Sequence, residues 1–154
     1  MRYVAAAVIG VSSFAVAAQS DMDRPRWMAN VARHQKVVMY GVPAPYSAMR
    51  DSSPDTSAKL RRGAEVFDQH CASCHGWTGQ GTGPEGLFLV PAPADLEWLA
   101  RTPKGKSDPY IYWSIAEGGI PFDSEMPAFK RTLSKRDIWS VTAYLRAGMP
   151  HASP

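Results

Sequence analysis

Five consecutive residues, Cys71-Ala72-Ser73-Cys74-His75, have types and spacing that could do chemistry. Residues three apart on a helical turn share a face, so both thiols can meet one partner while the next residue swings its imidazole beneath it. C-x-x-C-H is the attachment signature of c-type haem: each thiol adds across one porphyrin vinyl group, and the histidine becomes the proximal iron ligand. A Cys-x-x-Cys redox pair would need a thioredoxin-like strand before it, yet Phe67-Asp68-Gln69-His70 reads as the end of a helix. A zinc site would recruit His70 and His75, but neighbouring His70 and Cys71 can hardly both reach one tetrahedral ion, and no second cysteine pair follows. Cys71 and Cys74 are the whole cysteine complement, so no long-range disulfide framework staples the fold.

The far side of the iron needs a ligand, and Glu125-Met126-Pro127-Ala128-Phe129 offers Met126. A thioether is a soft, neutral donor that favours ferrous over ferric iron, and Pro127 removes one backbone torsion from the segment that must hold the sulfur. Met28, Met39 and Met49 read as core filler. His34 is the rival distal ligand, but its polar surroundings read as surface, and His70 is held too close to Cys71 to reach across the ring. The expected cofactor is therefore one haem c, bound by Cys71, Cys74, His75 and Met126, with His75 and Met126 on the metal. A ligating imidazole has its other nitrogen engaged, for which Pro84, Pro91 and Pro93 each offer a carbonyl. Gly81, Gly83 and Gly86 spell a G-x-G-x-x-G, but no strand precedes it and Pro84 interrupts the helix it would open, so it reads as a turn wrapping the haem edge by close backbone approach. Trp77, Trp98, Tyr110, Tyr112, Trp113 and Trp139 are expected to wall a planar cofactor or to pack the core. Lys130, Arg131, Lys135 and Arg136 could ring an exposed edge and steer an acidic partner.

Three helices must position these residues. Ser57 to His70, capped by Thr56 or Ser57, delivers the chain to Cys71 and carries Leu60, Ala64 and Phe67, or Gly63 and Phe67, on one stripe. Asp108 to Glu117 has Pro109 in its first turn, Ile111 and Ile115 four apart, and Gly118-Gly119 as its stop. Ser134 to Ala147 has Asp137 near its positive end and buries Ile138, Val141 and Leu145, with Tyr144 beside them. No segment alternates over a strand's length, so the fold class is all-α with long loops.

Around this domain, placed at residues 56–150, lie two other segments. Residues 1–18 read as a secretory signal: Arg2, an apolar run, and small residues at Ala15-Val16-Ala17 or Val16-Ala17-Ala18 for cleavage. Export to the periplasm follows, and membrane attachment is expected only if the run stays uncleaved, although it is shorter than the ~20 apolar residues of a spanning helix. Residues 19–55 form a polar flank with a short helix opened by Pro25 and proline-rich ends, expected to lie over the core as an extended arm. Docking a partner is its expected role, so that its removal would leave the haem spectrum intact. The formal net charge of +3 gives no argument for nucleic acid or an anionic surface.

Over Thr56 to Met149 the chain resembles the class I cytochrome c family. Gly63 and Phe67 before Cys71, and Tyr144-Leu145 in the last helix, match the residues at which that family's first and last helices cross. Cys71, Cys74, His75 and Met126 match its haem attachment and axial positions. The resemblance implies a compact cytochrome c fold, three or more helices around one covalently bound haem. It departs at the 19–55 flank and at an insertion-like loop from Pro91 to Lys106. No Ser/His/Asp arrangement and no paired carboxylates mark the chain as an enzyme. The expected function is single-electron transfer between redox partner proteins, as a soluble periplasmic carrier or as the electron-transfer subunit of a dehydrogenase, oxidase or reductase complex. The competing expectation is a haem enzyme or gas sensor in which Met126 is absent or labile.

Overall fold

The computed structural model of the protein describes residues 31–150, so the secretory signal expected at residues 1–18 and the helix start expected at Pro25 lie outside the described residues. Every regular element within that range is helical: α1 (Val31–Tyr40), α2 (Ser57–His70), α3 (Ala72–His75), α4 (Leu96–Ala100), α5 (Asp108–Glu117) and α6 (Lys135–Arg146), joined by loops with short 3₁₀ turns. The all-α expectation holds.

Local chemistry sets the main boundaries. Thr56 caps α2 by accepting from the Lys59 amide at 3.2 Å, and Ser134 caps α6 by accepting from the Asp137 amide at 3.1 Å. Pro109 occupies the first turn of α5, and Gly118, at φ +67°, ends it. α2 and α6 then cross at Gly63. A Cβ there would lie 2.2 Å from the Ser140 carbonyl oxygen and 2.6 Å from Tyr144 Cβ, so only hydrogen fits between the helices. Phe67 fills the next turn against Tyr144, ring centroids 5.8 Å apart, and Ile138 and Val141 close the crossing from α6.

α5 packs against α6 and is buried nearly all round, through Tyr110, Ile111, Tyr112, Trp113, Ile115 and Ala116. The broad aromatic set serves packing more than the cleft described below. Tyr112 packs tilted against Trp139, ring centroids 4.4 Å apart, and Trp113 meets Phe122 edge-on at 5.7 Å, while Trp77 is exposed. Tyr110 alone of the six expected wall residues lines the cleft.

The flank lies over the core as expected, through Val37, Val42, Tyr46 and Met49, and part of its expected short helix is described as α1 over Val31–Tyr40. Tyr46 lies 6.1 Å from the Tyr112 ring and its hydroxyl donates to Glu117. Met39, expected as filler, is instead exposed. Within the expected loop from Pro91 to Lys106, α4 forms because the Asp95 carboxylate accepts from the Trp98 amide at 2.8 Å, and Leu96 and Leu99 pack against the core. No described helix is long and apolar enough to cross a membrane.

Candidate functional site

The C-x-x-C-H segment is a helical turn of its own. α2 ends at His70, the Cys71 amide closes back on the Phe67 carbonyl at 2.8 Å, and the His75 amide bonds the Cys71 carbonyl at 2.8 Å. The glycine-rich loop then folds back over that turn. Gly81 donates to the His75 carbonyl at 2.8 Å, Gly83 to Cys74 at 3.1 Å and Glu85 to Ser73 at 3.0 Å. A Cβ on Gly83 would sit 2.3 Å from the Ser73 oxygen, so the expected close backbone approach is real, and its object is the backbone of the thiol-bearing turn.

His75 is fixed by a group the sequence reading did not select. Its Nδ1 lies 3.0 Å from the Ala94 carbonyl oxygen, not from the carbonyl of Pro84, Pro91 or Pro93. A carbonyl only accepts, so Nδ1 carries the proton and Nε2 keeps its lone pair. Burial pulls the imidazole's pKa below its ordinary value, against the opposing pull of that bond, and so favours the neutral, ligand-competent ring. Ala94 was missed because any residue supplies a carbonyl; what brings it here is Leu96 donating to Gly79 at 2.7 Å, which ties the segment to the loop after His75.

Cys71, Cys74 and His75 line one cleft together with Met126. Most other lining side chains are apolar, among them Phe67, Leu89, Leu96, Leu99, Ile111, Ile115 and Phe129. The empty space of the cleft, its open mouth included, is about 1170 Å³. An apolar slot edged by two thiols and one oriented imidazole fits a porphyrin bound through thioethers and nitrogen. It does not fit the rivals. Burial first, and Cys74 second, push the Cys71 thiol up to about 12, and burial likewise raises Cys74, opposite to a reactive redox pair. Among the described residues no three His, Cys, Asp or Glu side chains gather as a metal-binding cluster, and no strand precedes the pair.

Met126 reaches the cleft on a loop held by backbone. Its carbonyl accepts from the Gly119 amide at 2.8 Å, and a Cβ on Gly118 would lie 2.6 Å from that same oxygen. The stop of α5 thus sets the position of the methionine. His34 is exposed, beside Lys104 Nζ at 3.0 Å, and does not line the cleft; His70 does line it, edge-on to Phe129 at 6.1 Å. Lys130, Arg131, Lys135 and Arg136 are exposed, with Lys130 paired to Glu117 at 2.7 Å. Arg33, from α1, also lines the cleft, and no sequence expectation singled it out.

Residues 58–145 match the family described as cytochrome c oxidase, cbb3-type, subunit III. The chain belongs to this family of c-type cytochromes. Membership implies binding of haem c, in accord with the cleft. The cytochrome bc1 complex cytochrome c subunit of Mycobacterium tuberculosis is 28% identical over 108 residues, 68% of this chain and 33% of that protein. The cbb3-type cytochrome c oxidase subunit CcoP of an Azospirillum species is 30% identical over 91 residues, 58% of this chain and 28% of that one. This cytochrome thus spans about a third of the length of these relatives. Among solved structures, a chain of the Kuenenia stuttgartiensis reducing HAO-like protein complex superposes with a TM-score of 0.55 at 22% identity, covering 75% of this chain and 55% of its own, a likeness of fold.

Proposed function

We propose that this cytochrome is an exported, single-haem electron-transfer protein, with Cys71 and Cys74 as thioether attachment points and His75 and Met126 as axial ligands. The observation that carries this reading is the convergence of all four side chains on one apolar cleft, with His75 Nδ1 already bonded to Ala94. Bound haem c supplies one-electron exchange at iron, with a potential raised by methionine ligation. The chain's own residues bind and orient. The glycine loop holds the thiol-bearing turn, the Ala94 carbonyl fixes the tautomer of His75, and the Gly118-Gly119 stop presents Met126. Phe67, Ile111, Ile115 and Phe129 keep water from the slot. His75 and Met126 would both hold the iron of a bound haem and would leave no position for a small ligand, which favours the electron carrier over the gas sensor or haem enzyme.

Two forms of this role fit: a soluble periplasmic carrier, or the electron-transfer subunit of a redox complex. The relatives' descriptions as complex subunits support the second. The leader-like first 18 residues support export.

The deciding experiment is a reduced-minus-oxidised visible spectrum of protein made in a host with haem-attachment machinery, wild type beside Met126→Ala. Wild type is expected to give a c-type spectrum and the weak long-wavelength ferric band of methionine ligation; the variant is expected to lose that band and to bind carbon monoxide when reduced. A band that survives in the variant assigns the iron to another residue. Absence of covalent haem in wild type overturns the reading.

A further inference from the structure

α1 lies outside the segment that matches the family, yet it places a cation in the wall of the cleft. Arg33 is only 3% exposed. Its guanidinium donates to the Gly118 carbonyl and sits 5.4 Å from the Trp113 ring centroid and 5.0 Å from that of Phe122. Those aromatic faces hold the group in one orientation. Arginine stays charged when buried and presents its donors as a rigid fork suited to a carboxylate. The neighbouring cations sit differently: Lys36 is exposed, 5.5 Å from Phe122, and Lys104 is in contact with exposed His34.

We infer that Arg33 binds a propionate of the haem. Thioether formation consumes the vinyl groups, so the two propionates are the anionic groups that haem c carries into a largely apolar cleft. A carboxylate there is expensive to bury unless a cation meets it. Arg33 is a buried cation in that wall, supplied by the flank rather than by the cytochrome domain. The assignment rests on the haem reading above.

The test is the reduction potential of the holoprotein against pH for wild type, Arg33→Met and Arg33→Lys, with covalent haem confirmed in each by its alkaline pyridine spectrum. Ionisable groups on the surrounding elements are His34 and Lys36 of α1, Tyr110 and Glu117 of α5, Lys104, Asp123, Glu125 and Lys130, with His70 in the cleft wall. Of those around α1, His34 is an imidazole, its pKa lowered from the ordinary value by burial and then by Lys104, so every protein carries His34→Gln; the rest are common to all. Loss of the positive charge is expected to move the equilibrium toward ferric about tenfold, about 59 mV for one electron. A pH-dependent slope from propionate protonation is expected to appear between roughly pH 5 and 8, since the carboxylate loses the cation that held it ionised. Arg33→Lys is expected to stay closer to wild type. Potentials and slopes in Arg33→Met that match wild type overturn the assignment. So does loss of the ferric methionine band, because Arg33 would then act through Gly118 on the Met126 loop. If Arg33→Met does not accumulate, Arg33→Lys decides through redox-difference infrared spectra: shifted propionate bands support the contact, and unshifted bands overturn it. Absence of covalent haem in wild type defeats the haem reading itself, a result distinct from these.

Discussion

His75 and the two thiols have different tolerances because they are held differently. The imidazole is fixed by a backbone carbonyl, 3.0 Å from Nδ1, which no side-chain substitution at Ala94 removes. The thiols act one by one, each through its own bond. Cys71→Ser and Cys74→Ser should each retain covalent haem with one thioether, read as a red-shifted alkaline pyridine spectrum, and the double variant should release its haem to acid-acetone extraction. Single variants with an unshifted spectrum would mean that the thiols are not the attachment points. At this scale the sequence is most legible where chemistry is local. Cys71 to His75 encode their own geometry within one helical turn. Ala94 was illegible because its function uses the atom all residues share. Arg33 was illegible because its hydrogen bond to Gly118 spans 85 positions.

Elements position the cleft through close contacts that leave no slack. Alanine at Gly63 would gain up to ~1 kcal/mol of helix propensity, but its methyl would meet backbone oxygen at 2.2 Å. Crowding of this kind costs roughly 1–3 kcal/mol and should win. Gly63→Ala is therefore expected to lower the guanidinium midpoint of the holoprotein, while Arg61→Ala, on the exposed side of α2, leaves it unchanged; equal midpoints would remove the crossing from the account. Arg146 of α6 meets both Asp55, ahead of α2, and Asp108 of α5. The Lys59 hydrogen bond, against the opposing effect of burial and with help from Arg146, holds the Asp55 carboxyl below its usual range. Its folded pKa lies below the unfolded value of ~3.9, so its contribution is full above that value and is lost as pH falls through the folded pKa. Asp55 is exposed and Arg146 only partly buried, so the tie between them is worth only about 0.5 kcal/mol. Asp55→Asn should lower the thermal midpoint slightly at pH 7, with the gap to wild type closing below about pH 4; a constant gap at all pH values would mean that charge is not responsible. Caps and glycine stops made α2, α5 and α6 legible. α4 was not, because Leu96–Ala100 is barely longer than a turn and offers too few residues for a periodicity.

For the whole molecule, the flank carries the most weight. Gly41, Pro43 and Pro45 break regular structure and led to the expectation of an extended arm lying over the core and docking a partner. What composition does not record is which side chains such an arm sets down. Val37, Val42, Tyr46 and Met49 pack against the core, Tyr46 bonds Glu117, and Arg33 enters the cleft wall. Full burial of an aliphatic side chain is worth roughly 1.5–3 kcal/mol, and these are partly buried, so together they contribute on the order of 3 kcal/mol. Removal of residues 19–55 is therefore expected to alter the haem protein itself. The guanidinium midpoint of the truncated holoprotein should fall by an amount equivalent to about 3 kcal/mol, and its reduction potential should shift in the same sense as in Arg33→Met. A docking arm would behave otherwise: stability and potential would match the full chain, and only the rate of electron exchange with a partner would drop. Unchanged stability with slowed exchange would return the flank to that role, whereas a coupled loss of stability and potential makes it a wall of the cofactor site.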